Sequence, residues 1–357
     1  MDRKQIKHWL TCEEPKQLAS LWHQADQTRR RHVGGSVYLR GLIEISNHCK
    51  RQCSYCGINA NNRRVERYLM SQDEILGCAH KGQKLGYGTV VLQAGETDLI
   101  SGDWICELIT RIKQETGQAI TLSLGERKPE ELRAWRRCGA DRYLLRFETS
   151  NRDLFQRIHP PLGNTPSDRV SIIEDLVELG YAAGSGMLLG IPGQSYNDLI
   201  NDLLLLKQLK LQMIGIGPYV PDPDTPLGRE ALSSSASATT EDQVVASEDL
   251  TYRVLALARI LCPNTNIPST TAVATLFGSQ GQDLGLQRGA NILMPNITPQ
   301  HYRALYQIYP AKACLAEPDN QGARQLRQRI EQLGRQIGHG RGDAPIDSCP
   351  SGENCYE

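Results

Sequence analysis

Residues 43–57 read IEISNHCKRQCSYCG, in which a strand-like run is followed at once by Cys49, Cys53 and Cys56 in a C-x3-C-x2-C spacing. Three thiolates in so short a loop can hold three irons of a 4Fe–4S cluster. Because such clusters normally take four thiolates, the fourth iron is left for a distant ligand or a small molecule. The alternatives are a zinc knuckle or a set of unrelated cysteines, but zinc sites favour C-x2-C pairs joined by a second pair or by histidines. The loop therefore predicts a 4Fe–4S cluster.

Outward from this loop, strand-like and helical segments alternate along the chain. The strand-like segments lie near 38–46, 88–93, 119–124, 142–147, 182–189, 212–217, 266–271 and 290–294. They are apolar on both faces, which is typical of parallel strands covered by helices. The alternation predicts an α/β fold, a complete (β/α)8 TIM-type barrel, rather than an open doubly wound sheet.

The flanks of this pattern divide the chain into three parts. Residues 1–36 form an N-terminal helical extension, 37–312 the barrel, and 313–357 a C-terminal helix and a short tail. The tail is rich in Gly, Pro and Ser from residue 338, so we expect it to be mobile.

Composition excludes several partners. The 40 basic residues balance 40 acidic ones, so no overall field attracts nucleic acid or an anionic membrane. The sequence has no apolar run of about 18 residues and no signal-peptide pattern, which favours a cytoplasmic protein. The 11 cysteines lack paired spacing over most of the chain, which favours a reducing compartment. Cys106 and Cys138 are expected to be free, small buried side chains.

Polar and glycine residues at the predicted strand ends mark a site, because barrel sites form at the carboxyl ends of the strands. Glu96 follows Gly95 after the second strand, where an acid can accept an ammonium group. Gly190 opens a Gly-rich turn after the fifth strand, which alone is a weak signal. The sixth strand, with Ile216 and Gly217, ends in glycines that let an adenine ring lie against backbone.

The fourth strand carries charges inside an otherwise apolar run. Arg142, Arg146 and Glu148 share one face by the period of two residues, and buried charges need partners or ligands. If that face is the lumen, Arg142 lies in an anion pocket. Its expected neighbours are the hydroxyls of Thr121, Ser123, Thr270 and Thr271. Ion pairs that tie strands to helices are the other interpretation.

From Tyr38 to about Cys314 the sequence resembles the HydE family, the radical S-adenosylmethionine (SAM) maturases of FeFe-hydrogenase. The shared phrases include GLIEISNHC, VLQAGE, TLSLGE, DRYLLRFETSN, GIPGQ, MIGIGPYVPDPDTPL, NIPSTTAVAT and ANILMPN. The resemblance implies a full barrel, SAM on the open iron, and its reductive cleavage to methionine and a 5′-deoxyadenosyl radical. It also implies a small sulfur-containing substrate of the iron–cysteine type, a reducing electron donor and other maturation proteins as partners.

The resemblance also implies roles for single residues, although no catalytic residue. Tyr55 would pack near the adenine, Glu96 would bind the SAM ammonium, and Glu148 with Arg169 would fix its polar groups. The anion site would be Arg142 with Thr121, Thr270 and Thr271, and the lower cavity wall Met294, Tyr306 and Tyr309. Two features depart from the family: Phe147 stands where histidine is common, and 158–167 is longer than usual.

Related branches remain as alternatives. Only the similarity of the quoted phrases argues against a methylornithine-synthase-like enzyme. A biotin-synthase-like enzyme would need a spare cysteine at an inward strand position for its second cluster. An Fe–S electron carrier without substrate leaves Arg142 and Glu148 unexplained. Many relatives also carry three C-terminal cysteines for a 2Fe–2S cluster, but here Cys314 is alone and Cys349 and Cys355 lie far downstream. One 4Fe–4S cluster and no second cluster are therefore expected.

Overall fold

The computed structural model describes residues 1–164, 166–233, 242–312 and 320–345. The strands are β1 Ser36–Ser46, β2 Thr89–Ala94, β3 Ala119–Ser123, β4 Arg142–Leu144, β5 Ala182–Leu189, β6 Met213–Pro218, β7 Ile292–Leu293 and β8 Gln336–Ile337. The helices are α1 Arg3–Thr11, α2 Pro15–Val33, α3 Gln72–Lys84, α4 Gly102–Thr116, α5 Pro129–Cys138, α6 Arg152–Ile158, α7 Arg169–Glu178, α8 Tyr196–Gln208, α9 Pro226–Ser233, α10 Glu248–Leu261, α11 Thr271–Gln287, α12 Gln300–Leu305 and α13 Asn320–Gln332.

The central sheet is a parallel barrel. Its strands follow the order β6-β5-β4-β3-β2-β1-β7. Between β6 and β7, residues 266–268 make the last two links, because Asn266 bridges Met213 and Pro268 bridges Ile292. The predicted strand at 266–271 is therefore only a short bridging segment. Pro268 has no N–H to donate to a ladder, and α11 begins three residues later. The (β/α)8 barrel prediction is confirmed.

Sequence signals for the surrounding helices agree with the structure. At the start of α3, the Ser71 N–H donates to Glu74 Oε2 at 2.8 Å and the Glu74 N–H donates to Ser71 Oγ at 3.3 Å, which forms the predicted capping box. The N-terminal extension is α1 and α2, whose Ile6, Leu10 and Leu21 are buried in the main core. In the described ranges, no helix is both long and apolar enough to cross a membrane.

The lower end of the barrel, where the strands begin, is closed by the C-terminal segment. After α13, β8 pairs with the first residues of β1, and residues 338–345, the floor strap, cross beneath the lumen. The Arg341 carbonyl accepts from Thr89 Oγ1 at 2.8 Å, and the Gly342 carbonyl accepts from Arg40 Nη2 at 3.0 Å and Asn266 Nδ2 at 2.9 Å. These bonds correct the expectation of a mobile tail for residues 338–345, because buried donors hold the strap.

Glycines let the strap lie this close to the barrel. A Cβ on Gly88 would lie 1.9 Å from the Gly340 carbonyl oxygen. A Cβ on Gly338 would meet the Tyr38 ring at 2.4 Å. The composition that suggested mobility therefore serves close packing.

One pair of cysteines differs from the expectation. Cys106 on α4 and Cys138 at the end of α5 are joined by a disulfide, with their Cα atoms 5.4 Å apart. The prediction that both are free is wrong, because packing α4 beside α5 brings together residues 32 positions apart.

Candidate active site

The cysteine loop leaves the upper end of β1 and faces the lumen. Its shape is held by Arg67, whose guanidinium donates to the carbonyls of Asn47 at 2.6 Å, Ile58 at 2.7 Å and Asn59 at 2.7 Å. Cys49, Cys53 and Cys56 line one cavity, as predicted from their spacing. The cavity has a volume of about 320 Å³ and continues down into the barrel.

The three thiols suit an iron–sulfur cluster. Burial raises the pKa of Cys49 and Cys56, and it raises the pKa of Cys53 to about 12. Each is therefore a thiol at neutral pH, and bound iron would replace its proton. Among the described residues, no group of three or more His, Cys, Asp or Glu side chains converges closely enough to hold a single metal ion.

Gly95 gives the loop room against the end of β2. A Cβ at this position would lie 2.4 Å from the His48 carbonyl oxygen and 2.8 Å from Cys49 Cβ. The glycine before Glu96 is therefore needed by the cysteine loop.

A chain of alternating charges lies beside the thiols. Arg51 bridges two acids, with Nε 2.6 Å from Glu96 Oε1 and Nη2 2.6 Å from Glu126 Oε2. Glu126 Oε1 then accepts from Arg169 Nε at 2.9 Å. Burial opposes ionisation of Glu126, but hydrogen bonding from His159 and the charge of Arg169 outweigh it and hold the pKa of Glu126 well below its usual range.

Glu148 closes this chain at the cavity wall. Its Oε1 accepts from the Tyr55 hydroxyl at 3.1 Å and lies 3.2 Å from Arg146 Nη2 and 3.7 Å from Arg169 Nη1. Its Oε2 is buried without a hydrogen-bond partner among the described residues. This oxygen can accept a hydrogen bond from a bound molecule.

The lower part of the same cavity carries hydroxyls and a buried cation. Thr121 Oγ1 and Thr270 Oγ1 have no partner in the described part of the chain. Arg40 reaches the wall from below, with Nη1 3.1 Å from Met213 Sδ. Burial first, and then the charge of Arg142, lower the pKa of Arg40 to about 9. Predicted residues on this wall are Thr121, Ser123, Thr270, Thr271, Met294, Tyr306 and Tyr309.

Comparisons with known proteins agree with this geometry. Residues 43–206 match the family model of the radical SAM superfamily. The chain is 40% identical over 336 residues to the [FeFe] hydrogenase maturase subunit HydE of Thermotoga maritima, covering 94% of this chain and 92% of that protein. This chain belongs to the HydE family. It is an enzyme of the radical SAM type, as the resemblance implied, and the family implies a 4Fe–4S cluster and SAM.

Two further relatives belong to a neighbouring branch. The chain is 27% identical over 290 residues to the 3-methylornithine synthase of Methanosarcina acetivorans, covering 81% of this chain and 77% of that protein. A crystal structure of methylornithine synthase (PylB) superposes with a TM-score of 0.78 at 25% identity, covering 95% of this chain and 94% of that one.

In this HydE family member, three predicted site residues lie outside the cavity. Ile216 is buried in the core, because the neighbouring Gly215 and Gly217 are the ones that face inward. Gly190 packs against residue 246, where a Cβ would lie 2.4 Å from the Ala246 nitrogen. Neither residue lines the cavity, so their predicted contacts with SAM stay predictions.

Arg142 is the third predicted site residue that lies outside the cavity. Its Nη1 donates to Thr89 Oγ1 at 3.1 Å, and its Nη2 donates to the Arg341 carbonyl at 2.9 Å and pairs with the Asp343 carboxylate. The predicted anion is therefore the chain's own carboxylate, and Arg142 lies below the cavity. The period of two residues gave its face correctly, but residue 142 begins β4 and so lies at the lower end.

The structure adds residues that sequence reasoning missed. Arg40 and Glu44 share the inward face of β1, and the same period of two would have found them. Glu44 is fully buried and pairs with Lys312, which also lines the cavity. His159 contacts Cys53 Sγ through Nδ1 at 2.9 Å and Glu126 through Nε2 at 3.1 Å. No sequence signal marked His159. Phe147 is buried in the core.

Proposed function

We propose that this chain is a radical SAM maturase that acts in FeFe-hydrogenase cofactor assembly. It binds one 4Fe–4S cluster through Cys49, Cys53 and Cys56 and converts a small sulfur-containing substrate of the iron–cysteine type in the barrel lumen. One observation carries the proposal: the three thiols and the polar lumen wall line the same cavity. The identity of 40% to a HydE protein supports the choice of substrate class.

The row of charged side chains beside the thiols, from Arg51 to Glu148, is proposed to bind SAM. When bound, the cluster and SAM supply the chemistry, in which one electron cleaves a sulfur–carbon bond to give methionine and a 5′-deoxyadenosyl radical. Glu148 Oε2 would accept from a hydroxyl of SAM, and Tyr55 would lie against the adenine. Arg169 would bind the carboxylate, and Glu96 would bind the ammonium group. Glu96 accepts hydrogen bonds from Arg51 Nε at 2.6 Å and from the Glu126 N–H at 2.9 Å. These bonds fix the orientation of its carboxylate.

The lower wall is proposed to hold the substrate. Thr121 and Thr270 offer hydroxyls that have no partner among the described residues, and Arg40 offers a buried cation. These groups suit a carboxylate or another small anion. The remaining wall residues would exclude water from the reaction, namely Ser123, Thr271, Met294, Tyr306 and Tyr309.

A biotin-synthase-like reaction is less well supported. Among the described residues that line the cavity, the only cysteines are the three of the loop. A second cluster in the lumen would need further ligands. Cys314, Cys349 and Cys355 lie outside the described residues, so the expectation of a single cluster stays a proposal.

Anaerobic reconstitution with iron and sulfide tests the proposal. We expect about four irons per chain and, with a strong reductant and SAM, equal amounts of methionine and 5′-deoxyadenosine. A cluster without SAM binding would show an electron carrier and overturn the proposal. About six irons per chain, with the excess lost in Cys314→Ser, would overturn only the single-cluster count.

A further inference from the structure

Glu148 holds an unusual backbone conformation. Its φ is +65°, and it alone among the described non-glycine residues with positive φ lines the cavity. The Thr149 N–H donates to the Phe147 carbonyl at 2.8 Å, so Glu148 is the centre of a three-residue turn. The form of this turn with positive φ is rare and strained. Surrounding contacts must therefore hold it.

One side of the turn is fixed by β5. The Glu148 N–H donates to the Gly186 carbonyl at 3.1 Å, and the Glu148 carbonyl accepts from the Leu188 N–H at 2.9 Å. These bonds place the residue on the barrel wall. They do not restrain the chain that leaves the turn toward α6.

The other side is fixed by α8. Asp202 Oδ1 accepts both the backbone N–H and the hydroxyl of Ser150, each at 2.6 Å. Four residues earlier on the same helix, Asp198 accepts from Asn151 Nδ2 at 3.0 Å. Two acids on one face of α8 therefore hold the residues that follow Glu148.

Asp202 is a carboxylate whose burial is energetically unfavourable. It is fully buried and has no ion-pair partner in the part of the chain that the structure describes. Burial, with Asp198 nearby, raises the pKa of Asp202 to about 7 despite the donors from Ser150. A buried carboxylate without a cation destabilises a fold, so its benefit lies in the hydrogen bonds it accepts, including both from Ser150.

We infer that Asp202 is a positioning residue for the cofactor: by anchoring Ser150 it keeps the strained turn closed and Glu148 Oε2 directed into the cavity. The inference rests on the proposed function, since it assigns Glu148 to SAM. Asp202 itself does not line the cavity. Its effect on SAM therefore passes through the turn.

The test compares Asp202→Ala with Asp202→Asn in anaerobically reconstituted full-length protein. Asparagine keeps an oxygen that can accept both Ser150 donors, whereas alanine removes it. We expect the Kd for SAM to rise about tenfold in Asp202→Ala and to stay close to the parent value in Asp202→Asn. Iron content should equal that of the parent in both. Ser150→Ala removes only the hydroxyl donor and should raise the Kd about threefold, which keeps the test decisive if Asp202→Ala does not fold.

Leu203→Ala is the matched control for simple destabilisation. Leu203 is fully buried in the same helix, but its side chain cannot hydrogen-bond to the turn. The Kd of the Leu203→Ala protein for SAM should therefore equal that of the parent. Unchanged affinity in Asp202→Ala or Ser150→Ala overturns the inference. It is also overturned by equal weakening in Leu203→Ala, or by equal loss in Asp202→Asn and Asp202→Ala. A parent protein that holds its cluster but does not bind SAM overturns the proposed function as well.

Discussion

The two ends of the barrel lumen use buried charges in opposite ways. At the upper end, thiols, acids and arginines surround a cavity, and Glu148 Oε2 has no partner among the described residues. At the lower end, Arg142 is paired with Asp343 and bonded to the Arg341 carbonyl. Burying a charge is unfavourable unless it is paired and hydrogen-bonded. The lower end is therefore completed by the chain, whereas the upper end is arranged for molecules that the chain does not supply.

Replacing an upper-end thiol should have the largest effect. Cys53→Ser removes one of three cluster ligands, so reconstituted protein should lose the 4Fe–4S cluster and all SAM cleavage. Iron analysis and 5′-deoxyadenosine formation measure both. Cys12→Ser is the control, because Cys12 is buried beside the N-terminal helices, away from the cavity. SAM cleavage at the parent rate in Cys53→Ser would remove the cluster assignment.

The second-largest effect is expected from the charged side chains beside the thiols. Arg169→Ala removes a charge-assisted contact proposed for the SAM carboxylate and should weaken SAM binding by about 2–3 kcal/mol, roughly 30- to 150-fold. Equilibrium binding to the reconstituted protein measures it. The control is Arg157→Ala, since Arg157 is a half-exposed arginine that pairs with Glu230 at 2.7 Å and does not line the cavity. Parent-like affinity in Arg169→Ala would mean that another residue binds the carboxylate.

Breaking the lower end should affect stability without changing cofactor binding. Asp343→Ala leaves Arg142, which is 1% exposed, without its carboxylate, but the Asp343 side chain is 50% exposed. We therefore expect a loss of about 1–2 kcal/mol in the free energy of unfolding, less than for a fully buried pair. Urea unfolding measures this loss. The control is Asp98→Ala, because Asp98 is an exposed acid that pairs with Lys50. A loss of SAM affinity in Asp343→Ala would contradict the separation of the two ends.

Acid should produce the smallest effect when it is followed at the lower end, through Asp343. Burial opposes ionisation of Asp343, but Arg341 and Arg142 outweigh it and hold its pKa below 3.8. A lowered folded-state pKa stabilises the fold above the unfolded-state value and is lost as pH falls. The stability difference between the parent and Asp343→Asn should thus shrink between pH 5 and pH 3, by less than about 1 kcal/mol for this half-exposed group. Urea unfolding across this range measures it, and a difference that grows in acid would contradict the ion pair.

The sequence predicted the features that depend on local pattern. Alternating segments predicted the barrel, and the spacing of Cys49, Cys53 and Cys56 predicted that their thiols line one cavity. The period of two gave the inward face of Arg142 but not its depth, since its partner Asp343 lies 201 residues later. Arg40 and Glu44 carry the same signal and were overlooked. His159 and the Cys106–Cys138 disulfide depend on which loops and helices pack together, and no local pattern records that.

The floor strap also sets the order in which the barrel can be completed during synthesis. Ser36 at the start of β1 pairs with Gln336, so β1 contacts a segment that is made 300 residues later. At about 5–20 residues per second, that interval is roughly 15–60 s. Until then, the guanidinium groups of Arg40 and Arg142 lack the carbonyl and carboxylate groups of residues 341–343 that they contact in the folded protein. The lower end of the barrel can therefore be completed only after translation has passed residue 343.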